Sequence, residues 1–246
     1  MEPEKQSPTI FGVDSGKLWA FAAAALILLA LLFVYANNER QNIANQLQNS
    51  SVLPNGTQPA YFRGNPNATV EITEFFDFQC PYCSAAEGKN KQVQDYLAAK
   101  YGSYQPAVEL LLEKYGNGSN SKIKLSYHDF PFIGQESFQA SLAARCAGEQ
   151  GKYLEYHDYL MSHQQGENQG AFGDANLAAL AQSLGLDTAQ WGGCFSSGKY
   201  LQDINADIQL GRTLGVTGTP AFFVNRAPVD ASFSAMDSAV SAKLVK

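Results

Sequence analysis

Apolar residues fall along the chain in three regimes. Residues 18–35, LWAFAAAALILLALLFVY, carry no charge and no strong helix breaker. As a helix this run rises about 27 Å, close to the roughly 30 Å of a bilayer's hydrocarbon layer. A buried core helix would keep some polar face, and this run has none. Residues 36–60 are the opposite: Asn, Gln, Pro and Ser with few large apolar groups, a composition that cannot offset its own ordering entropy and reads as a tether. From residue 61 periodic patterns begin. A turn signal, Gly64-Asn65-Pro66-Asn67, precedes Val70-Glu71-Ile72-Thr73-Glu74-Phe75-Phe76, a β-branched and aromatic run expected as a buried central strand. Helical patterning then runs from Ser84 to about Tyr115 with a break around 102–106. Residues 122–128 alternate polar and apolar as a strand does. Helices are expected at about 135–148, 150–164, 174–184, 187–196 and 199–214. A short apolar strand opened by Pro220, a weak hairpin and a last helix at about 232–244 close the chain. The order predicts an α/β fold carrying a helical insertion.

Within the second helical region, Leu97-Ala98-Ala99-Lys100-Tyr101-Gly102 is echoed by Leu112-Glu113-Lys114-Tyr115-Gly116. A local duplication and a chance repeat of a helix-then-glycine ending are equally good readings.

The apolar run poses a choice between a cleaved signal peptide and an uncleaved anchor. Val34-Tyr35-Ala36 has the small-x-small outline of a cleavage site. The run is longer than the roughly 7–15 residues of a signal-peptide core, and its N-terminal flank is long and mixed in charge, which favours an anchor. Lys5 and Lys17 before the run, against Arg40 after it, place residues 1–17 in the cytoplasm and the rest outside. A net charge of −6, with 17 Lys and Arg and no basic cluster, argues against nucleic acid as a partner. Four cysteines suit two pairs, provided the compartment is oxidising.

The chemistry concentrates at Cys80-Pro81-Tyr82-Cys83, directly after the central strand. Proline suits a first helical turn, so Cys80 is expected at a helix N-terminus with its sulfur exposed, and Cys83 one turn inside and buried. Only the thiolate attacks a disulfide, and the unpaired N–H groups and partial positive charge of a helix start favour it at Cys80. Zinc needs about four ligands, and no second C-x-x-C or C-x-H pair exists; His128, His157 and His163 lack ligand spacing and read as structural or surface residues. A purely structural bridge over so short a loop would constrain little of the unfolded chain. A redox centre is the reading that remains. Glu74, in the apolar strand, is either a solvated carboxylate or a buried one of raised pKa able to exchange a proton; Asp77 could do the same, though a turn or cap role suits it better. Cys146 and Cys194, each in a helical pattern, are free buried thiols, a bridge between helices, or a second relay.

Residues 61–245 resemble the DsbA-like thiol–disulfide oxidoreductases of the thioredoxin fold, in their membrane-anchored form. The resemblance rests on Glu74-Phe75-Phe76-Asp77-Phe78-Gln79-Cys80-Pro81-Tyr82-Cys83, on Tyr127-His128-Asp129-Phe130-Pro131 and on Thr217-Gly218-Thr219-Pro220-Ala221-Phe222-Phe223-Val224-Asn225. It implies a thioredoxin core with a helical domain inserted at about 133–214. It also implies Cys80 as the attacking and Cys83 as the resolving cysteine of a redox-active disulfide, with Glu74 as proton acceptor for Cys83. A cis Thr219-Pro220 peptide would face the sulfurs and, with Pro81 and Tyr82, meet substrate. Some members carry a cystine where Cys146 and Cys194 lie; such a bridge would contribute about 3–4 kcal/mol in the chain-entropy model. The chain departs from well-known members in having Pro-Tyr rather than Pro-His between the cysteines, and Thr219 where some have Val.

The expected protein is a single-pass enzyme of the cytoplasmic membrane, with its catalytic domain on the extracytoplasmic, periplasmic side. It would put disulfides into reduced substrate proteins without cofactor or metal, and be reoxidised by a membrane quinone-linked thiol oxidase of the DsbB or VKOR kind. Two alternatives use the same residues: a reductase or isomerase running the centre in reverse, and an anchored chaperone module that binds without turnover.

Overall fold

The computed structural model describes residues 9–10, 13–14, 22–35, 38 and 61–245. Two units are distinct, residues 1–51 and 52–246. In the first, β1 (Thr9–Ile10) pairs antiparallel with β2 (Val13–Asp14), and residues 22–35 form helix α1, whose apolar side chains, Leu28, Leu31 and Phe33 among them, are exposed. Among the described residues no helix is long and apolar enough to cross a membrane. The span expected at 18–35 begins outside the described residues, as does the tether expected at 36–60, of which residue 38 alone is described.

In the second unit, β4 (Val70–Phe76) is the central strand: one neighbour is β5 (Ile123–Asp129), parallel, and the other β6 (Ala221–Val224), antiparallel. The sheet order is β3-β5-β4-β6-β7, with β3 (Tyr61–Gly64) and β7 (Ala227–Val229) as antiparallel edges. Strand alternation puts Ile72, Glu74 and Phe76 on one face and Thr73 and Phe75 on the other. Phe76 packs edge-on against Phe78, Tyr127 and His157; Phe75 packs edge-on against Phe130 and Phe223 and stacks on His128. These rings explain why the strand has no polar face. β3 was not expected from sequence. It is four residues long and contains Arg63, so its pattern read as a boundary; its partner β5 makes it a strand.

Helix α2 (Pro81–Ala86) follows β4, then α3 (Lys91–Tyr101) and α4 (Ala107–Tyr115). The sequence pattern ran continuously from Ser84, yet the chain breaks between α2 and α3. Gly88 there has φ +78°, and a Cβ on it would collide with the Glu109 carboxylate; Asn90 then caps α3 by accepting the Val93 N–H at 3.1 Å. The insertion comprises α5 (Gln135–Gly148), α6 (Tyr153–Ser162), α7 (Asp174–Ser183), α8 (Thr188–Ser197) and α9 (Leu201–Thr213), within a residue or three of the expected bounds. Cys146 of α5 and Cys194 of α8, both buried, are joined by a disulfide. The chain returns through Thr219-Pro220, a cis peptide, into β6 and ends in α10 (Phe233–Leu244). The β6–β7 turn has both central residues, Asn225 and Arg226, at positive φ, as a two-residue hairpin requires.

A buried charge cluster fastens the insertion to the sheet. Arg145 of α5 reaches Asp129 of β5 at 2.6 Å and also Asp207 of α9; Asp207 in turn meets His128 Nδ1 at 2.7 Å and accepts the Asp129 backbone N–H at 3.1 Å. Burial works against the Arg145 charge, but Asp129 and Asp207 outweigh it and raise its pKa.

Candidate redox site

Asp77 sets the approach to the cysteines. Its buried carboxylate accepts the Gln79 N–H at 2.8 Å and, from the chain after β5, the N–H groups of Phe132 and Ile133 at 2.9 and 3.1 Å. It is a turn-former that ties the approach to α2 to the chain after β5. Cys80 is then the N-cap of α2, in extended conformation, with Pro81 in the first turn, where its missing N–H costs nothing.

Cys80 and Cys83 are free thiols. Cys80 Sγ lies 3.3 Å from the Thr219 carbonyl oxygen, so the cis-proline loop sits directly on it. The sequence reading had this sulfur exposed; it is instead 3% accessible. The correction has a tertiary cause, since residues 139 positions away cover the helix start. Tyr82, the residue between, is about half exposed.

The two thiols differ sharply in acidity. Cys80 is lowered to about 7, first by the hydrogen bond from Cys83, against the cost of burial, with further help from Thr219 and from the N–H groups of Cys83 and Tyr82. Cys83 is fully buried and pushed well above its usual value, first by burial, then by Cys80 and Glu74. Of this tightly coupled pair, Cys80 therefore carries the thiolate. Thr219 favours the ionised form of both sulfurs. A titration of thiolate ultraviolet absorbance is expected to show a step centred near pH 7. Because the shift is downward, thiolate is gained as pH rises through that value and lost below it. A single step near pH 9 would contradict this assignment.

Glu74 is not a solvated edge carboxylate. It lies on the central strand, registered between Tyr127 and Phe222, with no accessible surface and no hydrogen-bond partner for either oxygen. Burial raises its pKa well above the ordinary carboxylate value, and Glu87 and Cys80 add to this. Glu87, just past α2, was not singled out in the sequence. It is buried, its N–H donates to the Cys83 carbonyl at 3.1 Å, and its carboxylate lies 3.3 Å from Nε2 of the buried His157. Glu87, His157 and Asp158 bring potential metal ligands within 4.8 Å of one another. Asp158 is already held by Arg63 at 2.6 Å, with Lys89 at 3.7 Å, so two protein cations face the place a metal ion would take.

The arrangement can exchange disulfides: an acidic thiol at a helix start, a second thiol behind it, a cis-proline loop beside both, and a buried carboxyl of raised pKa nearby. Comparisons with known proteins agree with it. Residues 71–243 match the DSBA-like thioredoxin domain family. The "Probable disulfide bond formation protein D" of Bacillus cereus is 23% identical over 95% of this chain and all of its own length. A "Na(+)/H(+) antiporter NhaA 1" of Salinispora arenicola is 30% identical over 67% of this chain, which spans about a fifth of that relative, 21%. The crystal structure of a thioredoxin-like oxidoreductase from Silicibacter pomeroyi superposes with a TM-score of 0.58 at 28% identity, covering 79% of this chain and 99% of that one. With a family match over most of its folded part and the two cysteines set at a helix start against a cis-proline, this chain belongs to the DsbA-like family of thioredoxin-fold thiol–disulfide oxidoreductases.

Proposed function

We propose that the protein is an extracytoplasmic oxidant that introduces disulfides into reduced envelope or secreted proteins. The observation that carries this reading is the setting of Cys80 at the start of α2, against the Thr219 carbonyl, within the DSBA-like domain match over residues 71–243. Stabilising the Cys80 thiolate stabilises the reduced enzyme, which makes its disulfide a better acceptor of electrons. In the cycle, a substrate thiolate attacks Cys80 Sγ of the oxidised enzyme. A substrate–Cys80 bond forms, the Cys80–Cys83 bond breaks, and the electron pair leaves on Cys83. Glu74, protonated because it is buried, gives its proton to the Cys83 thiolate. A second substrate thiolate then attacks the substrate sulfur of the mixed disulfide, and Cys80 leaves as its stabilised thiolate. Two electrons have passed from substrate to enzyme. A quinone-linked thiol oxidase in the membrane would remove them.

Thr219 and Pro220, with Pro81 and Tyr82, form the substrate edge in this reading. A bound peptide takes the place of the Thr219 carbonyl against Cys80. The uncharged run at 18–35, with the exposed apolar side chains of α1, supports anchoring in the cytoplasmic membrane.

The test is the Cys80–Cys83 potential, measured by equilibrating the full chain in detergent with glutathione buffers. A value near about −120 mV marks an oxidant of substrate thiols; one near about −270 mV would reverse the direction and make the protein a reductase. Glu74→Gln, which cannot carry the proton, is expected to slow substrate oxidation about tenfold at neutral pH. That is less than general acid–base catalysis usually contributes, because a thiolate leaves tolerably without its proton. An unchanged rate in single-turnover oxidation would remove Glu74 from the mechanism.

A further inference from the structure

The segment between α6 and α7, residues 163–173, holds the three consecutive residues that lead into the redox helix, Phe78, Gln79 and Cys80. Gln164 Nε2 donates to the Phe78 carbonyl at 2.7 Å and to the Cys80 carbonyl at 3.1 Å. Asn168 grips the residue between them: its backbone N–H donates to Gln79 Oε1 at 2.6 Å, and its Oδ1 accepts from Gln79 Nε2 at 3.3 Å. The same Gln79 amide also donates to Ser137 of α5 at 2.8 Å. The segment is itself folded tightly, with Gly166, Asn168 and Gly170 all at positive φ. Its far end is fixed by Glu136, whose carboxylate accepts the N–H groups of Gly170 and Phe172, each at 2.8 Å. Gly134 is what lets Asn168 approach, since a Cβ there would come within 2.1 Å of Asn168 Oδ1.

We propose that Gln164 is a positioning residue for Cys80, supplied by the helical insertion: by fixing the carbonyls of Phe78 and Cys80 it holds the first turn of α2 in the orientation that aims the backbone N–H groups of Tyr82 and Cys83 at the Cys80 sulfur. The geometry leaves few other means of doing so. Cys80 has no side-chain cap interaction, since its side chain is the reacting group. Its carbonyl makes only a long helical bond, with the Ser84 N–H at 3.3 Å. α2 is six residues long, too short to define its own first turn. An amide that bridges the Phe78 and Cys80 carbonyls therefore fixes this helix start from outside the helix. The insertion thus acts on the chemistry of the thioredoxin core without touching the sulfur.

This inference rests on the oxidoreductase reading but is tested apart from it. The probes are Gln164→Met, which keeps the volume and removes the donor, and Gln164→Ala. The readouts are the midpoint of the Cys80 thiolate titration in the reduced protein and the potential in glutathione buffers. The groups that bear on Cys80 from the packed elements are Cys83 of α2, Glu74 of β4 and the uncharged Thr219 of the cis-proline loop, and all stay in place in both variants. Loss of the amide is expected to raise the midpoint by about half to one pH unit, a shift of the size that hydrogen bonding to a charged form produces. At the pH where the parent is half ionised, thiolate then falls about two- to fivefold. The potential moves in the reducing direction. Gln165→Ala, exposed beside it, should leave both readouts unchanged. Near-ultraviolet circular dichroism identifies a variant that has lost its packing, and Met in place of Gln guards against that outcome. A folded Gln164→Met protein with the parental midpoint and potential would overturn the proposal, whatever the parent's oxidising activity. A parent that transfers no disulfides but whose midpoint still shifts in Gln164→Met would leave this proposal standing and sink the catalytic reading.

Discussion

Cys80→Ser protein is expected to lose disulfide transfer to substrate by about a thousandfold or more, the scale on which removing a nucleophile is felt. The reason is specific to this site. Every bond made and broken in the proposed cycle involves Cys80 Sγ, and only Cys80 combines a position at the helix start with a thiol lowered to about 7. Cys83 cannot substitute, because burial and its neighbours hold it protonated. The companion variant, Cys83→Ser, should behave differently. It retains the Cys80 thiolate but has no Cys83 to displace a bound partner, so by attacking a disulfide-bonded protein it should accumulate mixed disulfides that reductant releases. The assays are oxidation of a reduced, unfolded protein for Cys80→Ser and incubation with a disulfide-bonded protein for Cys83→Ser, with mixed disulfides read by mass. Oxidase activity undiminished in Cys80→Ser would end the mechanism. Absence of trapped species in Cys83→Ser would mean that the Thr219 carbonyl over the sulfur is not displaced by substrate.

Arg145→Leu is expected to destabilise the folded unit by about 3–5 kcal/mol, the cost of breaking a buried ion pair from one side. Arg145 is 4% accessible and spans two carboxylates that are themselves buried, Asp129 and Asp207. Without it both carboxylates face each other in a site closed to water, with one oxygen of Asp129 already lacking a partner. His128 and the Asp129 backbone N–H would remain for Asp207, and neither supplies a permanent charge. The measurement is the urea midpoint at constant m-value. Asp207→Asn added to Arg145→Leu should recover part of the loss, because it removes one of the two facing charges. A change under about 1 kcal/mol would show that water enters this cluster and that the insertion is held to the sheet by other contacts.

The local patterns in the sequence carried a good deal. The strand at 70–76, the helix opened by Pro81 and the five helices of the insertion all announce themselves through apolar spacing and through proline, because each is settled by interactions within a few residues. The motif Cys80-Pro81-Tyr82-Cys83 and the Thr-Pro pair could likewise be named, along with the kind of chemistry they perform. The first strand, Tyr61–Gly64, could not, since four residues with an arginine become a strand only by pairing with β5. Nor could the break at Gly88, which depends on how closely Glu109 of another helix approaches.

The site divides the same way. That Cys80 begins a helix is a local fact, written in the proline that follows it. How deeply it is covered and what holds its peptide in place belong to residues more than eighty positions away, Thr219 and Gln164, brought there by the sheet and the insertion. Glu74 shows the limit most plainly. Its position in an apolar strand was visible, but whether it met water or was sealed beneath the sulfurs turned on which strands flank β4, and β5 and β6 on either side seal it. Covalent neighbours decide conformation over a turn or a strand; desolvation and electrostatics depend on everything within a few ångströms, and only the folded chain determines what that is.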